Sequence, residues 1–206
     1  MSRQTKPLKV AVMGGTFDPV HYGHLVTAEA VRGEFGINHV LFVPSGRPPH
    51  KKLQQVSDAE HRYLMTVFAT LTNPYFEVSR VDIDREGKSY TIDTLRALRQ
   101  QYGDDTELYF ITGADAIAEI MSWKSAEELL CLSEFVAATR PGYQLDARLE
   151  QWFAEHGKKL HTLQVPAMAI SSTDIRNRVK AGKSIRYLVP EAVEHYIHKN
   201  RLYLDA

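Results

Sequence analysis

The amino-acid sequence predicts an α/β fold, in which a parallel β-sheet carries helices on both of its faces. Short apolar runs alternate with amphipathic stretches along the whole chain, and no internal repeat or low-complexity tract interrupts them. This alternation is typical of β-α-β units, whose strands lie parallel in one sheet. Because such sheets bind ligands at the carboxyl ends of their strands, the loops that follow the strands are the expected place for chemistry.

The strands are predicted from continuous apolar runs, such as LKVAVMG and VLFVP, and from one alternating stretch, PYFEVSRVDID. A continuous run indicates a strand buried on both faces, and alternation indicates a strand with one face exposed. The six predicted strands cover residues 8–14, 40–44, 74–84, 107–113, 134–140 and 159–165.

The helices are predicted from apolar spacing and from residues that stop or start a helix. Leu64, Val67, Phe68 and Leu71 fall at positions i, i+3, i+4 and i+7, which places them on one helical face. Glycine ends a helix readily and proline is tolerated in a first turn. The predicted helices cover residues 24–35, 58–72, 91–103, segments between the fourth strand and about 130, 146–157, 171–182 and 190–200.

Composition limits the classes of function. A chain of 206 residues suffices for one domain with a sizeable core, so we expect residues 1–206 to form a single domain. The 25 basic and 25 acidic side chains leave no excess charge for a nucleic-acid partner. One cysteine fits a reducing compartment, and no apolar run or signal segment indicates a membrane. We therefore expect a cytoplasmic protein, with a homo-oligomer left open.

The most informative segment, GGTFDPVHYGHL at residues 14–25, follows the first strand and opens the first helix. Gly14 and Gly15 allow close approach of a ligand, and the N–H groups of Thr16 and Phe17 could point at phosphate oxygens. His21 and His24 would face the same way. A plain turn is the alternative for the glycines, while a zinc site lacks a third nearby ligand. The spacing G-x-G-x-x-G of dinucleotide-binding loops is absent.

A second segment, ISSTDIR at residues 170–176, follows the last predicted strand and opens another helix. Ser171 and Asp174 have the spacing of a capping box, so a well-capped helix explains part of the pattern. The three hydroxyl groups of residues 171–173 and the guanidinium of Arg176 would also suit a phosphate group at a helix N-terminus.

Both segments carry a family resemblance. GGTFDPVHYGHL resembles the first motif of the HxGH nucleotidyltransferase superfamily, G-x-F-x-P-x-H-x-G-H, and ISSTDIR resembles its second motif. The stretches between them are similar to the bacterial nicotinate-nucleotide adenylyltransferase family, at residues 44–52, 89–98, 110–117, 138–143 and 186–203, together with Trp123. The resemblance implies the Rossmann-like, nucleotidyltransferase type of the predicted fold. It also implies adenylyl transfer from ATP to nicotinate mononucleotide, which gives deamido-NAD and pyrophosphate in NAD biosynthesis.

The resemblance also implies roles for individual residues. His24, His21 and Arg176 would be catalytic, by binding the ATP phosphates and stabilising the charge that develops on them. The expected ATP-binding residues are Gly15, Thr16, Phe17, His21, His24, Gly113, Asp115, Arg140, Ser171, Ser172, Thr173, Ile175 and Arg176. The expected nicotinate mononucleotide-binding residues are Tyr90, Thr91, Trp123, His50 and Lys51. No metal ligand is assigned to the chain, because the expected Mg²⁺ would be held by substrate phosphates and water.

Structural roles compete with several of these assignments. Thr91 and Asp115 could simply cap helices, Trp123 could belong to the core, and Arg140 could be a solvated surface residue. His50 and Lys51 could belong to a mobile basic segment.

Three other functions remain to be weighed. The chain could prefer nicotinamide mononucleotide, whose neutral amide differs from the carboxylate only at the pyridine end. A nucleotide sensor on the same fold would be expected to lack His24 or Arg176, and both are present. A tRNA-handling domain, the third, fits poorly with the balanced charge and small size.

Overall fold

The computed structural model describes residues 7–51, 55–166 and 168–204. Six parallel strands form one sheet in the order β3-β2-β1-β4-β5-β6. This confirms the predicted α/β fold, and the strand order reverses between β1 and β4, where a doubly wound sheet opens a crevice. The strands are β1 (Lys9–Gly15), β2 (His39–Pro44), β3 (Phe76–Val78), β4 (Glu107–Gly113), β5 (Glu134–Thr139) and β6 (Leu160–Gln164).

Helices follow the strands as predicted, and most boundaries agree within two residues. The first helix begins earlier than predicted, at Tyr22, and a 3₁₀ turn at Ile120–Ser122 lies between two short helices. The helices are α1 (Tyr22–Phe35), α2 (Ala59–Thr70), α3 (Thr91–Tyr102), α4 (Ala114–Ile117), α5 (Ala126–Leu132), α6 (Ala147–Glu155), α7 (Ser172–Lys180) and α8 (Glu191–Lys199).

The third predicted strand, residues 74–84, is wrong in its length, because only Phe76–Val78 pair with β2. The chain turns at Arg80, whose carbonyl accepts the N–H groups of Ile83 and Asp84. The Asp82 side chain points inward and accepts a hydrogen bond from Thr94 Oγ1 on α3 at 2.6 Å. The apparent alternation therefore came from a turn that buries one polar side chain.

Each face of the sheet is covered by its own apolar core. Alternate residues of β1 point to opposite faces, so Ala11 and Met13 join one core while Val10 and Val12 join the other. Buried apolar residues of α1, α2, α7 and α8 belong to the first core, and those of α3, α5 and α6 belong to the second. The motif-bearing helices α1 and α7 thus lie on the same face. Across the described ranges, no helix is both long enough and apolar enough to cross a bilayer.

Candidate active site

A cleft of about 520 Å³ opens where the strand order reverses, at the carboxyl ends of β1, β2 and β4. Its volume lies in the range typical of small-molecule sites. The lining residues are Gly14, Gly15, Thr16, Val43, Ser45, Pro48, Pro49, His50, Lys51, Asp82, Ser89, Tyr90, Thr91, Thr94, Phe110, Thr112, Ala116, Glu119, Ser122, Trp123 and Lys124. All five residues predicted for the mononucleotide line this cleft, whereas Gly15 and Thr16 are the ATP-binding candidates that do so.

The glycine loop, residues 14–21, joins β1 to α1 and forms one wall of the cleft. Phe17 turns back under it with a φ of 51° and is almost fully buried. A Cβ atom on Gly15 would lie only 3.0 Å from the Phe17 ring, so a larger residue here would require the ring to shift. Because the Phe17 side chain belongs to the core, its predicted contact with ATP can come only from its main chain.

The two histidines stand together at the start of α1. Their rings stack with centroids 3.7 Å apart, and the N–H of His21 donates to His24 Nδ1 at 3.2 Å. His24 Nδ1 is therefore an acceptor, so the proton of the neutral ring lies on Nε2. Burial lowers the pKa of His21 to about 4, while burial and the nearby His21 lower the pKa of His24 to about 3. Both rings are neutral at pH 7 and can act as hydrogen-bond donors.

A zinc site at the histidine pair lacks a third nearby ligand in the sequence. Within the described ranges, no three His, Cys, Asp or Glu side chains come together as a metal-binding group.

The ISSTDIR segment is hydrogen-bonded directly to the glycine loop. Ser172 Oγ donates to the carbonyl of Pro19 at 2.9 Å, and Arg176 Nη1 donates to the carbonyl of Asp18 at 2.8 Å. Arg176 Nη2 also donates to Thr173 Oγ1 at 3.3 Å. The two motifs, which are about 150 residues apart in sequence, therefore form one structural unit.

Other members of this segment have mainly local roles. Ser171 caps α7, because its Oγ accepts the N–H of Asp174 at 3.1 Å, as the capping-box spacing predicts. Ile175 is fully buried in the core, so a contact of this residue with ATP can come only from its main chain.

The opposite wall of the cleft is the Pro-rich loop, residues 45–51. His50 and Lys51 are exposed at its end. The pKa of Lys51 is lowered, first by partial burial of its ammonium group and next by the positive charge of Arg176. Lys51 and Arg176 therefore face one region next to the glycine loop, which favours an anion there. Residues 52–54, which continue this polar loop, lie outside the described residues.

Aromatic and charged side chains define the other end of the cleft. Trp123 is half-buried and packs edge-on against Phe110, with ring centroids 6.2 Å apart. Tyr90 is the N-cap residue of α3 and Thr91 is its first residue. The N–H of Tyr90 donates to the carbonyl of Lys88 at 3.1 Å, which leaves Thr91 as the better candidate for an amide contact with a carboxylate.

Lys124, which the sequence prediction did not include, stands beside these residues. Its ammonium lies 4.7 Å from the ring centroid of Tyr90 and 3.0 Å from Asp93 Oδ2. A cation over the face of an aromatic ring is attracted by the ring electrons, which helps to fix the position of the Lys124 ammonium. The cleft also contains the Glu119 carboxylate and the buried Asp82, which pairs with Arg85 at 2.8 Å. Burial raises the pKa of Asp82.

Most of the predicted ATP-binding residues lie outside the lining of the cleft, and three of these belong to neither motif. Gly113, Asp115 and Arg140 are exposed at the carboxyl ends of β4 and β5. Tyr143 Oη donates to the carbonyl of Ala114 at 3.3 Å and so joins the two loops that carry them. We call Gly113, Asp115 and Arg140 the outer rim.

Sequence reasoning missed several residues that line the cleft, including Ser45, Ser89 and Thr94. Ser89 exchanges hydrogen bonds with Arg47, since each donates to the other. These residues lie outside the segments GGTFDPVHYGHL and ISSTDIR, and Asp82 was assigned to a strand. The polar residues at the end of the second strand offered the one usable signal, because they occupy the same sheet edge as the glycine loop.

Comparisons with known proteins agree with this geometry. Residues 12–178 match the model of the cytidylyltransferase-like family. The chain therefore belongs to that family of nucleotidyltransferases. The sequence is 60% identical over 207 residues to a probable nicotinate-nucleotide adenylyltransferase of Moorella thermoacetica, a match that covers 98% of this chain and 95% of the relative. It is 57% identical to the protein of the same description from a Thermoanaerobacter species, with coverages of 96% and 95%. Within the larger family, the chain is thus a member of the nicotinate-nucleotide adenylyltransferases.

A solved structure supports the fold independently. The nicotinic acid mononucleotide adenylyltransferase of Plasmodium falciparum, in complex with NaAD, superposes with a TM-score of 0.79. The match covers 95% of this chain and 97% of that one, at 20% sequence identity. At this identity the likeness bears on the fold.

Proposed function

We propose that the protein transfers the adenylyl group of ATP to nicotinate mononucleotide and releases deamido-NAD and pyrophosphate. One observation carries the proposal: a single cleft joins residues 14–16 of the glycine loop to a site lined by Trp123, Tyr90 and Thr91. A nucleotide could bind at each end, with the reacting phosphates meeting between them. The family membership and the high identity to named relatives support the same reaction.

The glycine-loop side is proposed to hold ATP. The neutral His24 would donate from Nε2 to a phosphate oxygen, with His21 stacked beside it. Arg176 would hold the leaving pyrophosphate after exchanging its bond with the Asp18 carbonyl for a phosphate oxygen. We also propose that the other ATP-binding residues of the sequence prediction, including the outer rim, contact ATP. The rim would contact ATP once ATP occupies the strand ends.

The Trp123 side is proposed to hold nicotinate mononucleotide. Trp123 would stack on the pyridine ring, and the N–H of Thr91 would donate to the nicotinate carboxylate. The Lys124 ammonium, which already pairs with Asp93, would turn toward the nicotinate carboxylate and so favour it over a neutral amide. His50 and Lys51 would then contact the mononucleotide phosphate.

The proposed chemistry is an in-line attack of the mononucleotide phosphate on the α-phosphorus of ATP, without a covalent intermediate. The phosphate is already a nucleophile, so the protein must mainly bring two anions together. Two like charges about 4 Å apart repel by about 4 kcal/mol at an effective dielectric constant of about 20. The donors of His24, Arg176 and Lys51 would offset this repulsion and align the reactants.

Magnesium is part of the proposal as an ion bound to substrate. Carboxylates near the glycine loop are already engaged, since Asp18 accepts hydrogen bonds from Tyr203 and Ser57. Phosphate oxygens and water would therefore hold Mg²⁺, which suits its preference for hydrated oxygen sites. The ion would neutralise charge on the phosphates.

Three broader predictions from the sequence are kept as proposals. We propose that residues 1–206 act as one domain, that the protein works in the cytoplasm, and that it needs no nucleic-acid partner. A homo-oligomer stays open.

The direct test is pyrophosphate release in the presence of ATP and Mg²⁺, with three acceptors compared: nicotinate mononucleotide, nicotinamide mononucleotide and phosphopantetheine. We expect strong preference for the first. Preference for nicotinamide mononucleotide would keep the chemistry and refute the role given to Thr91 and Lys124. Turnover of phosphopantetheine would refute the assigned mononucleotide site, and no turnover with any acceptor would favour a nucleotide sensor.

A further inference from the structure

The largest fully buried side chain in the described part of the molecule is a charged one, Arg62 of α2. Only 1% of its surface is exposed, although it lies in neither motif. Removing a guanidinium from water is costly unless its donors are all satisfied. The hydrogen bonds that this guanidinium makes beneath the cleft therefore indicate its role.

The guanidinium donates to main-chain carbonyls of three separate segments. Nη1 donates to Thr16 at 2.8 Å and to Ser45 at 2.6 Å, Nη2 donates to Gly46 at 3.0 Å, and Nε donates to Ser57 at 2.9 Å. Thr16 belongs to the glycine loop, and Ser45 and Gly46 belong to the Pro-rich loop. One rigid, planar group therefore fixes the separation between the two walls of the cleft.

The surrounding bonds make this arrangement tight. The Ser45 N–H also donates to the carbonyl of Gly15 at 2.9 Å. On the far side, a Cβ atom on Gly46 would lie 2.4 Å from the carbonyl oxygen of Asp82. The Pro-rich loop is thus confined between Arg62 and the turn that leads to α3.

The charge of Arg62 is balanced at a distance. Burial lowers its pKa, and the carboxylates of Asp18 and Asp58 oppose this effect. Asp18 is itself buried and held by the Tyr203 hydroxyl at 2.9 Å and by the N–H of Ser57 at 3.1 Å. Ser57 bonds to both Arg62 and Asp18, so the four residues form one connected cluster beneath the glycine loop.

From this geometry we propose that Arg62 is a positioning residue for the adenylyl transfer. It holds the loop that carries ATP at a fixed distance from the loop that carries the mononucleotide phosphate, and so sets the alignment of attacking and leaving groups. The inference rests on the proposed function for its kinetic consequence. The proposed role of Arg62 does not include contact with either substrate.

The kinetic test compares Arg62→Met, which keeps the length of the side chain without its donors, with the wild type. Misalignment by about 1 Å costs on the order of 100-fold in rate. We expect kcat to fall by about that factor while KM for each substrate changes less than about threefold. Arg62→Lys keeps the charge and up to three donors and should recover part of kcat.

A destabilised control separates positioning from loss of fold. Leu98→Ala creates a cavity in the other core, at a residue that does not line the cleft, and should leave kcat per folded molecule unchanged. Near-normal kcat in folded Arg62→Met, or a loss seen only in KM, would overturn the proposal. A wild-type protein that fails to turn over nicotinate mononucleotide would instead refute the proposed function.

A second measurement tests Arg62 without any reaction. Amide hydrogen exchange of the ligand-free protein should accelerate at least about tenfold in Arg62→Met within residues 14–21 and 45–51, because these loops lose their shared anchor. Arg62→Lys should show a smaller increase in the exchange rate of both loops. Leu98→Ala should not accelerate exchange in these loops more than in the rest of the chain. Unchanged exchange in both loops of Arg62→Met would overturn the proposal whatever the activity.

Discussion

The glycine loop and the outer rim are both predicted to bind ATP, yet the protein holds them very differently. The loop is anchored from below by Arg62, Tyr203, Ser172 and Arg176. The rim residues Gly113, Asp115 and Arg140 are exposed, with a single side-chain bond between their loops. Donors that stabilise charge developing in the transition state are most effective when they are already in place. Groups that bind the unreactive part of a substrate can adjust to it. The difference predicts that substitutions in the anchored loop affect kcat and that those on the rim affect KM.

His24→Ala should produce the largest effect. Loss of one preorganised donor to the developing charge costs about 10²- to 10³-fold in kcat. The helix α1 should remain folded, since His24 caps it through one bond to the His21 N–H. Steady-state kinetics measures the fall in kcat, and circular dichroism checks that the helices remain folded. Near-normal turnover would remove His24 from the mechanism.

Trp123→Ala should have the next largest effect and should act on the mononucleotide. Loss of stacking on the pyridine ring is worth about 1–3 kcal/mol, or roughly 5- to 150-fold in affinity. KM for nicotinate mononucleotide should rise while KM for ATP stays unchanged. Trp152→Phe, a conservative change at the other tryptophan, serves as the control. A change confined to KM for ATP would show that the two sites have been exchanged.

Arg140→Ala should have a smaller effect, confined to ATP. The side chain is exposed, and a solvent-accessible ionic contact is worth at most about 1 kcal/mol, or about fivefold. KM for ATP should rise by that factor with kcat unchanged. A hundredfold fall in kcat would contradict the prediction that the outer rim affects KM and the glycine loop affects kcat.

The last prediction concerns stability rather than catalysis, and it follows from the pH response of the histidine pair. Both folded-state pKa values lie below the ordinary value of 6.5, at about 4 for His21 and about 3 for His24. The unfolded chain therefore binds more protons as the pH falls below 6.5, and the folded state loses stability by up to about 1.4 kcal/mol per pH unit for each histidine. Above pH 7 neither histidine should contribute a pH dependence.

Urea unfolding at pH 7.0, 6.0 and 5.0 measures this effect. We expect His21→Gln to flatten the slope between pH 6 and 5 relative to the wild type. A variant with the same slope as the wild type would show that His21 titrates normally in the folded protein.

The sequence was informative where a physical rule ties residue type to place. Apolar runs gave the central strands, and the position of each motif after a strand located the cleft at the correct edge of the sheet. The turn at residues 79–84 was missed because a buried Asp82 imitates the alternation of a strand. Lys124 could not be found because its role depends on the ring of Tyr90, 34 residues away in sequence.

Arg62 was beyond sequence reasoning for a related reason. It occupies a helix whose pattern predicts only an apolar face, and an arginine there is expected at the surface. What makes it buried is the convergence of carbonyls from three loops, which only the tertiary structure brings together.

The hydrogen bond from Tyr203 to Asp18 joins residues 185 positions apart. Together with the bonds of Ser172 and Arg176 to the same loop, it ties the glycine loop to residues that are synthesised long after it. A nascent chain on the ribosome can build β1 and β2 long before residue 203 emerges, but its glycine loop lacks these anchors until then. The proposed ATP-phosphate site thus depends on residues far along the chain, and loss of Tyr203 would loosen the loop at residues 14–21.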